Sequence, residues 1–281
     1  MSAVGIIGGS GLYGLEGLED IHEIATDTPF GAPSGPLVRG MLEGREVYFL
    51  PRHGPCHSIA PHEINHRANI YALRARGVRH VISVAAVGSL REELKPRDAV
   101  LPDQFFDRTS RRDRHTFFGE GIVAHVSFAD PTSPRLRQIL AEACAATGLT
   151  CHPAGTYVCI DGPAFSTRAE SHAYRSLGCD IIGMTNLPEA KLAREAEIAY
   201  ATLAMITDYD AWRANTEAVN VDNIIAHLKA NVEAARRLLP LAIAKIPAEA
   251  NDPEHSHLRN AILTPEAHWP RETAARLAAI L

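Results

Sequence analysis

An arginine-histidine pair, two spaced aspartates and a glycine-rich turn are the parts of this chain with the means to do chemistry. Arg52-His53-Gly54 follows an apolar run at residues 47–50. An arginine offers a planar fork of donors to phosphate oxygens, and a histidine adds another donor. Thr207-Asp208-Tyr209-Asp210 closes a second apolar run. Alternate side chains of an extended segment share a face, so Asp208 and Asp210 fall on one side as a paired acceptor or acid. Gly8-Gly9-Ser10-Gly11 follows the first apolar run, and its backbone N–H groups and the Ser10 hydroxyl suit an anion. Two more run ends are built of small or polar residues, Ala85-Ala86-Val87-Gly88-Ser89 and Gly183-Met184-Thr185-Asn186, where a ligand can approach the backbone closely. Each piece also has a plainer reading: a surface arginine beside a helix-capping histidine, a solvated turn, tight glycine packing. Five such ends converging in one sheet favour a binding site.

Gly9, Gly11 and Gly14 match G-x-G-x-x-G, the turn of a dinucleotide fold. That fold needs a second strand ending in an acidic residue about 20 positions on, whereas residues 28–36 are rich in Pro and Gly. No G-K-[ST] follows, which excludes a P-loop. His53, His57, His62 and His66 are spaced so that only the last two share a helical face, with no acidic residue recurring beside them; no metal site is expected.

Short β-branched runs alternate with helical periods along most of the chain. Strands are expected near residues 4–7, 47–50, 80–87, 156–160, 180–185 and 201–207. Helices are expected at 62–76, at 133–148 between a Ser133-Pro134 start and Gly148, at 168–177, at 188–197 and at 221–245, the last with Ile224, Ile225, Leu228 and Val232 inward. The run at 80–87 is apolar on both faces, as in a strand covered from both sides. The pattern predicts an α/β fold, a single domain at 1–246 with a central, mixed, largely buried sheet flanked by helices. Residues 247–281 read as a polar linker and a short helix appended to the core or to a neighbouring subunit.

The 281 residues carry 28 Lys+Arg against 33 Asp+Glu, a net charge of −5, and 46% are apolar. Such a mildly acidic balance gives no electrostatic footprint for nucleic acid or anionic lipid. No apolar run nears the roughly 20 residues of a membrane span, and no charged leader precedes the first strand, so a soluble cytoplasmic protein is expected. The five cysteines form no C-x-x-C pair and read as small hydrophobes.

Taken in order, Gly8-Gly9-Ser10-Gly11-Leu12, Asp27-Thr28-Pro29-Phe30-Gly31, Arg52-His53-Gly54, Gly88-Ser89-Leu90-Arg91-Glu92-Glu93, Asp103-Gln104-Phe105, Gly162-Pro163, Phe165-Ser166, Arg168-Ala169-Glu170-Ser171, Met184-Thr185 and Thr207-Asp208-Tyr209-Asp210 resemble the methylthioadenosine phosphorylase branch of the trimeric purine nucleoside phosphorylase family. The resemblance runs over about residues 4–245 and leaves out the tail. It implies a nucleoside phosphorylase-like fold and phosphorolysis of 5'-methylthioadenosine to adenine and 5-methylthioribose 1-phosphate, with adenosine and 5'-deoxyadenosine as further substrates. Phosphate is then a co-substrate and no cofactor or metal is implied. By the same resemblance Ser10, Arg52, His53, Ala85, Ala86 and Thr185 hold phosphate, Met184 lies under the ribose, and Phe165 and Ser166 lie by the substrate. Asp208 and Asp210 read adenine, Asp208 as the proton donor. His125 and Val221 lie near the 5' substituent, and the assembly is a homotrimer. Ala85 stands where relatives often carry Thr, leaving only backbone contact to phosphate, while Ser10 keeps the hydroxyl of a frequent Thr. The rival within this family is a phosphorylase of 6-oxopurine nucleosides or methylthioinosine.

Overall fold

Four parallel strands carry most of the pieces just described: β1 (Ala3–Gly8), β4 (Arg45–Pro51), β5 (Val78–Ser89) and β11 (Ala199–Tyr209). The computed structural model describes residues 2–9, 12, 14–110, 114–213 and 221–281, with the backbone alone for 221–225. In it β1 lies between β4 and β5, with Gly8 beside Pro51 and Ile7 beside Ser83, and β11 runs along the other side of β5. Because all four point the same way, the residues that follow them emerge on one edge, where α/β folds gather ligands. β1 is buried throughout, and β11 is buried as far as Thr207, as continuous apolar strands under helices on both faces must be.

Among the described residues the sheet has eleven strands and is mixed. β2 (Glu19–Ile24) and β3 (Leu37–Leu42) extend it antiparallel from β4. Towards the other side come β10 (Ile181–Gly183), β9 (Thr156–Cys159) and β7 (Gln104–Asp107), while the short β6 (Ala99–Val100) and β8 (Cys151–His152) follow β11. β10 pairs antiparallel with Gly88 and Ser89 at the end of β5, which brings Met184 and Thr185 to the same edge. One face is covered by α1 (His66–Ala75) and α4 (Asn186–Glu195), whose Ile70, Leu73, Ala190 and Ala193 join one core. The other is covered by α2 (Pro134–Thr147) and α5 (Val221–Lys245), whose Leu136, Leu140, Leu238 and Ile243 join a second. α2 starts and stops where its residue types direct: the Ser133 hydroxyl accepts from the Leu136 N–H and Gly148 closes it at φ 72.

Several boundaries differ from the sequence expectation. Residues 61–63 form a separate 3-10 turn, and α1 begins only after Asn65, whose side chain accepts from the Ala68 N–H. β2 is exposed along nearly its whole length, so no alternation betrays it; its neighbour β3 is joined to β4 by Glu43-Gly44, both with positive φ, the geometry of a two-residue hairpin turn. Leu228, expected inward on α5, is 42% exposed, and the side chains of Ile224 and Ile225 lie outside the described residues. Cys144, Cys159 and Cys179 are buried, but Cys56 is exposed.

Leu258, Ala261, Leu277 and Ile280 of the C-terminal segment belong to the same core as α1 and α4. A clasp holds the start of this segment. Asp252 accepts from His80 Nε2 at 2.9 Å and from Arg135 at 3.0 Å, and His255 Nε2 meets the Arg79 carbonyl at 2.9 Å. His255 Nδ1 accepts from the Asp252 N–H at 3.2 Å. His80, Asp252 and His255 are the trio among the described residues compact enough to share a metal, yet both His255 nitrogens are engaged by backbone groups. The trio acts as a tether. Among the described residues no helix is long and apolar enough to cross a membrane.

Candidate active site

A cavity of about 340 Å³ opens at the shared edge. Arg52, His53, Ala85, Ala86, Phe165, Ser166, Met184, Thr185, Asp208 and Asp210 all line it, ten residues drawn from five separate stretches of chain. A smaller pocket adjoins it, shares Arg52, His53, Ala85 and Ala86, and reaches Gly9 and Leu12. Ser10 and the Val221 side chain lie outside the described residues. His125 does not line the cavity; its N–H bonds the Ala261 carbonyl at 2.8 Å, on the segment that carries the tail.

The floor is a buried charge network. Arg52 is 2% exposed and Glu189 1%. Arg52 Nε and Nη2 meet the two carboxylate oxygens of Glu189 at 2.8 and 3.1 Å, Nη2 also meets Ser83 Oγ at 2.6 Å, and Nη1 donates to the Val84 carbonyl at 3.0 Å. Burial opposes the Glu189 charge, but Arg52 overrides it and keeps the carboxyl below its ordinary range. Ser83 and Tyr200 complete the shell by donating to Glu189 Oε1 at 2.7 and 2.8 Å. The open fork imagined from the sequence is therefore corrected. Most of the guanidinium's donors are engaged within the protein, and what remains for an anion is the second Nη1 proton and the positive charge.

His53 is held differently. Its Nδ1 lies 2.9 Å from the Ile59 carbonyl, which can only accept, so Nδ1 carries the proton. Burial pushes its pKa down to about 4 despite that bond, with Arg52 adding to the effect. The ring is neutral at physiological pH, which corrects the donor expected from the sequence: Nε2 is an acceptor and can only receive a hydrogen bond, as from a phosphate O–H. His57 stacks on it with ring centroids 4.4 Å apart. Met184 lines the cavity against Gly162, where a Cβ would lie 2.4 Å from its sulfur; Gly162 also has φ +65, so only glycine fits there without strain.

The opposite wall carries the carboxyls. β11 and β5 lose register between Ile206 and Asp208, so that Ile206 stands beside Val87 and Asp208 beside Gly88, with Thr207 as the additional residue. A bulge of this kind re-aims the side chains that follow it. Burial raises the Asp208 pKa and Asp210 adds to that, while the Thr207 hydroxyl, donating to Oδ2 at 2.7 Å, works against it. Burial likewise raises Asp210 against the opposing pull of Ser171 and the Ala211 N–H, and its own N–H is anchored on the Ser89 carbonyl at 3.0 Å. Asp210 Oδ2 and Ser166 Oγ are buried and make no hydrogen bond. An orphaned acceptor and an orphaned hydroxyl in one cavity are costly unless a ligand pairs with them. Phe165 and Ser166 are placed by the start of α3 (Arg168–Ser176), where Thr167 and Glu170 cap each other.

Glu189 and Ser83, which bond Arg52, and Tyr200, which bonds Glu189, belong to no motif in the sequence. The available signal was a glutamate on the apolar face of α4, beside Leu187, Ala190 and Ala193.

A buried arginine, a neutral histidine and an acid pair on one edge suit an anion and a nucleobase. The sequence profile described as "Phosphorylase superfamily" matches residues 3–244, and the chain belongs to that superfamily. It is 53% identical over 278 residues to the S-methyl-5'-thioadenosine phosphorylase of Geobacter sulfurreducens, covering 99% of this chain and 97% of that one. With the enzyme of the same name from Thermosynechococcus vestitus it shares 51% over 282 residues, again 99% and 97%. The chain is thus a member of the S-methyl-5'-thioadenosine phosphorylase family. A methylthioadenosine phosphorylase from an antarctic soil metagenomic library superimposes with a TM-score of 0.95 at 50% identity, covering 100% and 99% of the two chains. The Schistosoma mansoni methylthioadenosine phosphorylase in complex with tubercidin gives 0.85 at 35% identity, covering 94% and 100%.

Proposed function

We infer that this protein catalyses phosphorolysis of 5'-methylthioadenosine, giving adenine and 5-methylthioribose 1-phosphate. The observation that carries the reading is the carboxyl pair on the base side, Asp208 with a raised pKa and Asp210 with a buried, unbonded Oδ2. A 6-aminopurine presents a donor at its amino group and an acceptor at N7. Asp210 accepts from the first and protonated Asp208 donates to the second. A 6-oxopurine would set its oxygen against the Asp210 carboxylate, which disfavours the rival reading.

No side-chain nucleophile is needed. A phosphate oxygen forms the bond to C1' as the C1'–N9 bond breaks and its electron pair passes to the purine. The proton on Asp208 moves to N7, so hydrogen phosphate, nucleoside and carboxylic acid become sugar phosphate, neutral adenine and carboxylate. The anion held near Arg52, His53 and the backbone at Ala85-Ala86 also stabilises the ribosyl cation where it develops. Phosphate is a co-substrate, and the residues need no cofactor for these steps.

The test is release of free base from methylthioadenosine, adenosine and inosine, with and without phosphate. Adenine should appear from methylthioadenosine only with phosphate, adenosine should be slower, and inosine should give little hypoxanthine. Base release that ignores phosphate, or inosine as the best substrate, would overturn the reading.

We propose further that the working form is a homotrimer. Phe165, at the cavity, is 75% exposed. Val123 and Leu263, bonded through the Leu263 N–H at 2.8 Å, are 45% and 62% exposed beside His125. An apolar patch next to a histidine absent from its own cavity suits a neighbouring copy's cavity mouth. Native mass measurement should give three times 30.5 kDa; a monomer of full activity would dismiss the assembly.

A further inference from the structure

The bulged residue Thr207 has no role in the chemistry so far. We propose that it is a positioning residue for the proton donor: its hydroxyl holds Asp208 Oδ2 as an acceptor, which leaves the transferable proton on Oδ1, the oxygen beside Gly88. The proposal rests on the reading of Asp208 as the donor to the base.

Three observations carry it. Thr207 Oγ1 lies 2.7 Å from Asp208 Oδ2 and 3.3 Å from the Val87 carbonyl. A hydroxyl has one proton to give, and the shorter contact takes it. The reverse arrangement, with Oδ2–H donating to Thr207 across the same 2.7 Å and the hydroxyl turned to Val87 at 3.3 Å, would lock the acid proton away from the base and give an unreactive acid. On the other side of the carboxyl, a Cβ on Gly88 would lie 3.3 Å from Oδ1, and Gly88 lines the cavity. Oδ1 is therefore the oxygen along the cavity wall. Thirdly, the bulge is what sets Thr207 and Asp208 adjacent on this edge with Asp208 opposite Gly88; without the additional residue the carboxyl would fall out of register.

The consequence is differential. While Asp208 is protonated, the bond from Thr207 joins two neutral groups. As the Oδ1–H bond breaks and N7–H forms, the bond becomes a charge-assisted one to a carboxylate, roughly twice as strong. An interaction stronger in the transition state than before it accelerates the step. It also offsets burial and Asp210, the two influences that raise the acid's pKa, and so keeps Asp208 from becoming too weak an acid. Asp210 is the ionisable group that acts on Asp208, and Glu170 acts on Asp210 in turn; β5 meets the carboxyl with Gly88, which has no side chain to offer.

The experiment is kcat against pH for methylthioadenosine with wild type, Thr207→Val and Thr207→Ser. Thr207→Val keeps the shape and should lower kcat about 10- to 100-fold. It should also move the alkaline limb upward by about one pH unit, with KM for phosphate unchanged. Thr207→Ser should restore both rate and limb. Should the valine variant not fold, Thr207→Ala carries the same comparison. A limb that stays in place, or a serine variant no better than valine, overturns the role of Thr207 alone. A wild-type profile with no alkaline limb, together with an active Asp208→Asn enzyme, overturns instead the assignment of Asp208 as donor.

Discussion

Asp208→Asn lowers kcat/KM for methylthioadenosine by more than about 100-fold, the scale of lost general acid catalysis. The amide keeps the size and hydrogen-bonding shape of the side chain but has no acidic proton to hand to N7, so adenine must depart as an anion. The Asn amide has two N–H donors and can serve the O6 as well as the N7 of a 6-oxopurine, whereas the single acid proton of Asp208 serves N7 alone. The ratio of hypoxanthine release from inosine to adenine release from adenosine should therefore rise even as both rates fall. Thr207 still meets the amide oxygen, so the bulge is left in place and the comparison isolates the proton. Steady-state kinetics on both nucleosides decides the matter, and unchanged rates with unchanged base preference would remove Asp208 from the chemistry.

Glu189→Leu should cost about 3–5 kcal/mol of stability, because it strands the buried Arg52 charge. Two oxygens disappear that between them receive Arg52 Nε and Nη2, Ser83 and Tyr200. A loss of this size lowers the melting temperature by roughly 10 °C in a chain of this length. Adding Arg52→Met removes the stranded charge, so the double variant should be more stable than Glu189→Leu alone, although it forfeits the cation that faces phosphate. Denaturant melts of the two single variants and the double give the coupling directly. Strictly additive losses would mean that the two side chains do not act as a pair.

The strands that bear the site were legible because they are buried on both faces, and a continuous run such as Val4-Gly5-Ile6-Ile7 leaves few alternatives. β2 was not, since Glu19-Asp20-Ile21-His22-Glu23-Ile24 lies at the sheet's edge in solvent and its pairing with β3 supplies what its own pattern lacks. Asp208 and Asp210 could be read from their spacing. The bulge that directs them could not, because register is a property of two strands together. Arg52 shows the limit most clearly. Its type announced an anion site, but the glutamate that takes its Nε and one Nη2 proton is 137 positions away, and only the packing of α4 against α1 and β11 brings them together. His125 is legible as a residue and not as a place, since its segment is fixed through Ala261 at the far end of the chain.

The clasp at His80 and Asp252 bears on how the molecule is made. β5 is the central strand that organises the site, yet the layer over one of its faces is finished by Leu258, Ala261, Leu277 and Ile280. A nascent chain that has emerged only through α5 already holds every residue named in the cavity but still lacks part of that cover, with His80 near the start of β5 waiting for Asp252. Without the residues after α5, part of the apolar cover over β5 is missing and the buried His80 ring has no carboxylate to bond.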